Sequence, residues 1–212
     1  MLLWINGPFG VGKSQTAHEL SRRLPGSVIC DPEEVGYGLH RMLPPALRGD
    51  FKDLVAWRQG VFEVLDLVLT GRGRSGPVIA PMTMIEPDHF RETIERLRER
   101  GHDVRHFTLF AERETILRRL NERGLGQAIR MVLGKEAPPR RESFAVSRLD
   151  VCLEKLAAPE FAEHIDTERI DVAGAAERIA ASVGLTLAPN TDGPLRGRLR
   201  RAGVGIRQIR IF

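Results

Sequence analysis

The chain has 212 residues, 42% hydrophobic and 28% charged, with a formal net charge of +4. This composition suits one compact domain and excludes a disordered or collagen-like chain, and no apolar run reaches the roughly 18 residues of a membrane-spanning helix. With 6% aromatic residues there are few platforms for stacking single-stranded nucleic acid, and two cysteines, Cys30 and Cys152, without metal-ligand spacing point to a reducing cytoplasm.

Residues 1–6 read as a short buried strand, too short for a signal peptide, that runs straight into Gly7-Pro8-Phe9-Gly10-Val11-Gly12-Lys13-Ser14. This run fits G-x-x-x-x-G-K-[ST], and a predicted helix over 13–24 follows it, as that motif demands. The glycines let backbone N–H groups turn inward around phosphate oxygens, and the helix start presents its positive end to them. Lys13 reaches the β and γ phosphates and the Ser14 hydroxyl can ligate Mg²⁺. ATP and Mg²⁺ are the expected ligands, with Gly7, Phe9, Gly10, Val11, Gly12, Lys13, Ser14 and Gln15 around the nucleotide.

A second strand is predicted over 27–30 and leaves Asp31 at its carboxyl end, in the crevice where open α/β sheets bind ligands. The Asp31 carboxylate can accept a proton from a substrate hydroxyl or hold Mg²⁺ through water. It is also well placed as the N-cap of a helix opening at Pro32-Glu33-Glu34. The two uses compete for the same oxygens without excluding each other. Asp50 is expected to cap a longer helix through Leu69, whose apolar stripe of Phe51, Leu54, Val55, Val61, Phe62 and Leu65 is broken by Arg58. A guanidinium on that face needs either an anionic or hydroxyl-bearing substrate or an ion pair with Asp31, Glu34 or Asp66. Trp57 beside it either walls a ligand pocket or packs in the core.

The third predicted strand, residues 78–82, ends without the carboxylate that P-loop NTPases often place there. Glu86 and Asp88 follow, the latter a candidate cap for a helix over 88–100. Either Asp31 takes the carboxylate role or Mg²⁺ is held mainly by Ser14, phosphates and water. No glutamate is placed to polarise a hydrolytic water, which favours transfer to a bound acceptor over a motor ATPase. A strand over 104–110 and a helix over 112–123 come next. Residues 124–142 mix Gly, Pro and basic residues and read as an arginine-rich lid. It carries Arg130, Lys135, Arg140 and Arg141, with Arg118, Arg119 and Arg123 before it and Arg148 after it. Arginines that swing in stabilise the transferring phosphoryl group, and Arg119, Arg123 and Arg148 are the candidates. A helix over 143–157, a fifth strand over 161–166 and a last helix over 173–183 complete the alternation, which predicts a three-layer α/β/α fold on a five-stranded parallel sheet.

The domain is expected to span residues 1–183, with a basic extension over 184–212. Residues 193–212 hold six arginines and no acid, so the other 192 residues sum to −2. Such a tail suits nucleic acid, an anionic membrane surface or acidic ligands, or is a solvated extension that adds an edge strand over 204–212.

The order of these pieces resembles the small kinases of the adenylate, shikimate and chloramphenicol phosphotransferase type. Trp4-Ile-Asn-Gly-Pro-Phe-Gly-Val-Gly-Lys-Ser14, Asp31-Pro-Glu-Glu-Val-Gly36, Asp53-Leu-Val-Ala-Trp-Arg58 and the arginine-rich end more closely resemble the tunicamycin-resistance family of ATP-binding proteins. The resemblance covers nearly the whole chain. It implies an adenylate-kinase-like P-loop fold and an ATP-using protein that acts on, or sequesters, a nucleoside-type antibiotic or related metabolite. Asp31 matches the position of the proton-accepting Asp in the chloramphenicol phosphotransferase group, while the third strand departs from that group's carboxylate-bearing pattern.

The reading is therefore a cytoplasmic phosphotransferase with an alcohol group as acceptor. Lys13, Asp31, Arg119, Arg123 and Arg148 are its catalytic candidates, Asp31, Trp57 and Arg58 its substrate-binding candidates, and Ser14 and Asp31 its metal ligands. The alternative is a non-catalytic ATP-binding protein that sequesters the antibiotic. A further reading gives the tail an RNA or membrane contact, with nucleic acid not the first choice of partner. A monomer or homodimer is expected.

Overall fold

The computed structural model describes residues 1–71, 75–122, 146–161 and 163–191. Arg123, the predicted lid over 124–142 and the basic run over 193–212 lie outside the described residues, as do residues 143–145 at the start of one predicted helix.

Strand β1 (Leu2–Asn6) is buried at every position, the mark of a strand covered on both faces. It forms the middle of a sheet with β2 (Val28–Ile29), β3 (Val78–Pro81), β4 (Val104–Phe110) and β5 (His164–Asp166), in the order β2-β3-β1-β4-β5. All four pairings are parallel, with Leu2 beside both Val78 and Val104, and Thr108 beside His164. The expected five-stranded parallel sheet is thus present, with β2 and β5 shorter than their predicted runs.

Alternation along the strands feeds two cores. Leu2, Trp4, Val78 and Ala80 face a cluster shared with α3 (Val55–Thr70), α4 (Pro87–Phe90), α5 (Arg96–Glu99) and α7 (Leu149–Leu156). Leu3, Ile5 and Ile79 face the other, shared with α1 (Lys13–Arg23), α6 (Arg113–Glu122) and α8 (Val172–Ser182). Among the described residues, α2 (Glu33–Met42) leads from β2 towards α3. The helix predicted over 88–100 is α4 and α5 joined through a π-helical stretch, Arg91–Glu95.

The helix predicted from Asp50 to Leu69 is a correction. Asp50 accepts a hydrogen bond from Lys52 N at 3.1 Å and caps a separate 3-10 turn, Phe51–Asp53. The chain then extends at Leu54 and α3 starts at Val55. Packing is the cause: the Phe51 ring lies on Gly36 of α2, where an added Cβ would come within 2.5 Å of it, and 5.7 Å from the Trp57 ring.

A proline in the middle of a sheet also finds its reason here. Val78 and Met82 donate to β1, so the intervening odd positions of β3 face β2. That ladder closes with Cys30 N donating to Ile79 O, and the next β3 position on that side is Pro81, which has no N–H. The pairing of β2 stops there, and Asp31 follows where the strands part. Among the described residues no helix is long and apolar enough to cross a membrane.

Candidate functional site

The glycine loop joins β1 to α1. Gly7, Gly10 and Gly12 have φ of 138°, 88° and 110°, values that favour glycine. Space adds a second constraint at Gly10, where a Cβ would lie 2.8 Å from Leu120 Cγ. Helix α1 begins with no side-chain cap and no acid in its first turn, so its leading N–H groups are not claimed by a carboxylate. Lys13 folds back over the loop, and its Nζ donates to Gly7 O at 2.9 Å and Pro8 O at 3.0 Å, 5.5 Å from the centre of the Phe9 ring. Ser14 and Gln15 follow, both half-buried in the first turn. The loop and uncapped helix start fit an anionic polyphosphate.

A buried polar brace, missed at the level of sequence, holds the loop from beneath. Asn6 is fully buried. Its Oδ1 accepts from Gly7 N at 2.8 Å and Met84 N at 2.9 Å, and its Nδ2 donates to Met84 O at 2.8 Å and meets His106 Nε2 at 3.2 Å. Burial pushes the His106 pKa down to about 3, so the ring is neutral and its Nε2 can accept. Thr83 donates to Gly7 O at 2.8 Å. The loop is thereby tied to the segment after β3. Asn6→Leu strips these buried backbone groups of their partners and is expected to cost about 2–4 kcal/mol, read as a lower midpoint in urea unfolding. The sequence signal was there: a lone polar residue closes an apolar strand just before Gly7.

Across the crevice, Asp31 is half-buried, and its Oδ1 accepts from Glu33 N at 3.0 Å. It therefore caps α2 as expected, although the helix proper begins at Glu33. Burial and then the Glu33 charge raise its pKa from 3.8 to about 6, and Lys13 opposes them. Trp57 is 0% exposed and its indole N–H donates to Pro32 O at 3.0 Å. It therefore has no surface in the cleft and instead pins the backbone that carries Asp31.

Arg58 pairs with none of the three acids foreseen. Its Nε lies 2.6 Å from Glu92 Oε2 and its Nη1 donates to Lys52 O at 2.8 Å. Asp66 instead meets His102 at 2.6 Å, because α3 turns it toward the start of β4. Glu86, which follows β3, pairs with Lys155 at 2.6 Å. Met82 and Thr83 follow β3 where a carboxylate was looked for. Among the described residues no three His, Cys, Asp or Glu side chains gather as a metal group. The hard oxygens at hand are the Ser14 hydroxyl and Asp31 carboxylate, donors that suit Mg²⁺ completed by phosphates and water.

On the far side of the loop, Arg119 is held in place: Nη1 donates to Thr167 Oγ1 at 2.9 Å, Nη2 to Thr167 O at 2.6 Å, and Nη1 lies 3.5 Å from Val11 O. Arg148 is exposed at the N-cap of α7. Its charge is felt at Cys152 together with those of Lys13 and Lys52.

The family described as AAA domain matches residues 2–137, the stretch that holds the glycine loop, Asp31 and Arg119. The chain belongs to this AAA-domain family of P-loop proteins. The chain is 33% identical to the Deinococcus radiodurans tunicamycin resistance protein, with a TM-score of 0.68 over 89% of this chain and 99% of that one. This likeness groups it with the tunicamycin-resistance-type proteins, as the Asp31-Pro-Glu-Glu-Val-Gly36 stretch implied. A gluconokinase from Sinorhizobium meliloti (15% identity, TM-score 0.53, 99% of this chain and 97% of that one) shares the fold. So does a shikimate kinase from Bacteroides thetaiotaomicron (17%, 0.53, 87% and 99%). None of the curated proteins matches the sequence. The AAA-domain membership carries the P-loop, and with it nucleotide use, to this chain.

Proposed function

We propose that this P-loop protein is an ATP-dependent phosphotransferase acting on a hydroxyl of a small molecule, of the nucleoside-antibiotic type that the tunicamycin resistance protein's name suggests. The observation that carries the reading is Asp31, a half-buried carboxylate with a pKa raised to about 6, within the field of the loop lysine. A base poised near neutrality is matched to accepting a hydroxyl proton.

In the transfer, the acceptor oxygen attacks the γ-phosphorus and its proton passes to Asp31. The bond from phosphorus to the β–γ bridging oxygen breaks, and ADP leaves with those electrons. Lys13 exchanges the Gly7 and Pro8 carbonyls for β and γ oxygens, and the loop N–H groups hold the same charge in a fixed frame. Arg119 sits with Val11 on the nucleotide side, and Arg148, exposed at the start of α7, is a second arginine for the charge of the transferring phosphoryl group. Trp57 acts by positioning Asp31, and Arg58 by holding the Lys52 turn. Ser14, and Asp31 through water, would hold Mg²⁺, which when bound would neutralise phosphate charge.

The missing carboxylate after β3 favours one alternative, an ATP-dependent binder that retains the antibiotic unmodified. Incubation with ATP, Mg²⁺ and a panel of nucleoside antibiotics, followed by mass spectrometry, separates the two. A product heavier by one phosphate is expected. Tight binding of unaltered antibiotic would favour retention, and neither outcome would remove both.

A further inference from the structure

Strand register brings a hydroxyl to the phosphate loop. Ile5 of β1 lies beside Pro81 of β3, and Met82 N donates to Ile5 O at 3.0 Å. Two residues further along each chain segment stand Gly7 and Thr83. Thr83 is 2% exposed, and its Oγ1 donates to Gly7 O at 2.8 Å. The chain is fixed just beyond it, because Asn6 holds Met84 at both its N–H and its C=O.

Gly7 O is shared between two donors. Lys13 Nζ donates to it at 2.9 Å, and Lys13 and Thr83 are its donors among the described residues. A carbonyl oxygen has two lone pairs and accepts both at once. Pro8 O, the other carbonyl on Lys13, also has a second donor, Val11 N, but at 3.4 Å. That contact is long and correspondingly weak.

An ammonium has three N–H donors. Two of them serve the Gly7 and Pro8 carbonyls here. Contact with a β and a γ oxygen needs two as well, so at least one carbonyl is given up when nucleotide binds. Gly7 and Pro8 are both buried, and a buried acceptor left without a donor is costly. Releasing Gly7 O leaves it with the short Thr83 bond, whereas releasing Pro8 O leaves only the long Val11 contact.

We propose that Thr83 is a positioning residue for Lys13: it keeps Gly7 O satisfied as the ammonium turns from that carbonyl to nucleotide phosphate. This rests on the polyphosphate reading of the loop and on no feature of the acceptor. A plain brace would act differently. If Thr83 only tied the loop to the segment after β3, its loss would cost the same with or without Lys13. Sharing makes the two donors redundant in the nucleotide-free protein, so that only loss of both leaves Gly7 O bare.

The test is a double-mutant cycle on the full chain. Thr83→Val keeps the branched shape without the hydroxyl. In urea unfolding without nucleotide, Lys13→Ala combined with Thr83→Val is expected to lower the midpoint by roughly half a molar or more beyond the sum of the single shifts. Failure of the double variant alone to fold is the extreme of that result. In calorimetry with a non-hydrolysable ATP analogue, Thr83→Val is expected to bind roughly tenfold more weakly than the parent, because Lys13 then leaves Gly7 O bare. Thr83→Ser, which restores the hydroxyl, is expected to bind within about twofold of the parent. Thr83→Ala takes the place of Thr83→Val in both measurements should the latter fail to fold. Additive midpoint shifts, or a folded variant without the hydroxyl that binds the analogue as tightly as the parent, would overturn the role of Thr83 and leave the phosphate-loop assignment in place. A parent that binds no ATP analogue would remove that assignment, and the role of Thr83 with it.

Discussion

Lys13→Ala is expected to reduce nucleotide affinity by roughly a hundredfold or more and to bring turnover below detection. An ammonium on phosphate makes charge-assisted hydrogen bonds worth about 1.5–3 kcal/mol each, and two such bonds account for that loss. The geometry shows why no neighbour takes over. The ammonium lies over its own loop, held by Gly7 O and Pro8 O at 2.9 and 3.0 Å, so it is already beside the phosphate path before nucleotide arrives. Arg119 is fastened to Thr167 on the other side of the loop. Lys13→Arg should not restore activity, because a planar guanidinium does not fit a buried position that holds a compact ammonium. Calorimetric titration with an ATP analogue, beside steady-state rates, checks both parts. Turnover within a fewfold of the parent would remove the phosphate-loop assignment.

Asp31→Asn is expected to lower kcat by roughly a hundredfold to ten-thousandfold, the range of general-base catalysis. Asparagine keeps an oxygen for Glu33 N, so the cap on α2 survives and proton acceptance alone is lost. The pH profile gives the sharper signature. With a pKa of about 6, the parent is competent above that value, and its kcat/KM falls about tenfold per pH unit below it. The variant lacks this limb. Stability moves the other way. A carboxyl raised from 3.8 to about 6 favours the folded protein in its protonated form, so that contribution is complete below 3.8 and is lost as pH rises through 6. Asparagine resembles the protonated form, and the variant should therefore gain stability over the parent at pH 8 but not at pH 3.5, as urea midpoints would show. A variant that turns over within a fewfold of the parent would leave Asp31 only a cap.

The same residue shows how a brace works at a distance. Trp57 comes twenty-six positions after Asp31 in the chain, yet its indole N–H closes on Pro32 O because the Phe51–Asp53 turn packs α3 onto α2. The break in the apolar stripe at Arg58 had left Trp57 and Arg58 open to either a ligand or a structural role. Trp57 is buried with its indole N–H on Pro32 O, next to Asp31, and Arg58 donates to Lys52 O and pairs with Glu92.

Local chemistry was enough to read the alternation of strands and helices, the glycine loop and the capping of α2 by Asp31, because each depends on residues close together in the chain. Backbone freedom at Gly7, Gly10 and Gly12, the apolar run of β1 and an Asx cap need no distant partner to be recognised. Pairing across the fold had no such signal. Asn6 meets Met84 and His106, Arg58 meets Glu92, Arg119 meets Thr167, and the 50–69 pattern breaks at Leu54 because Phe51 seats itself on Gly36. A buried polar group takes whichever complementary group the packed chain brings within reach, and that choice is made by the register of the sheet and the seating of the helices on it.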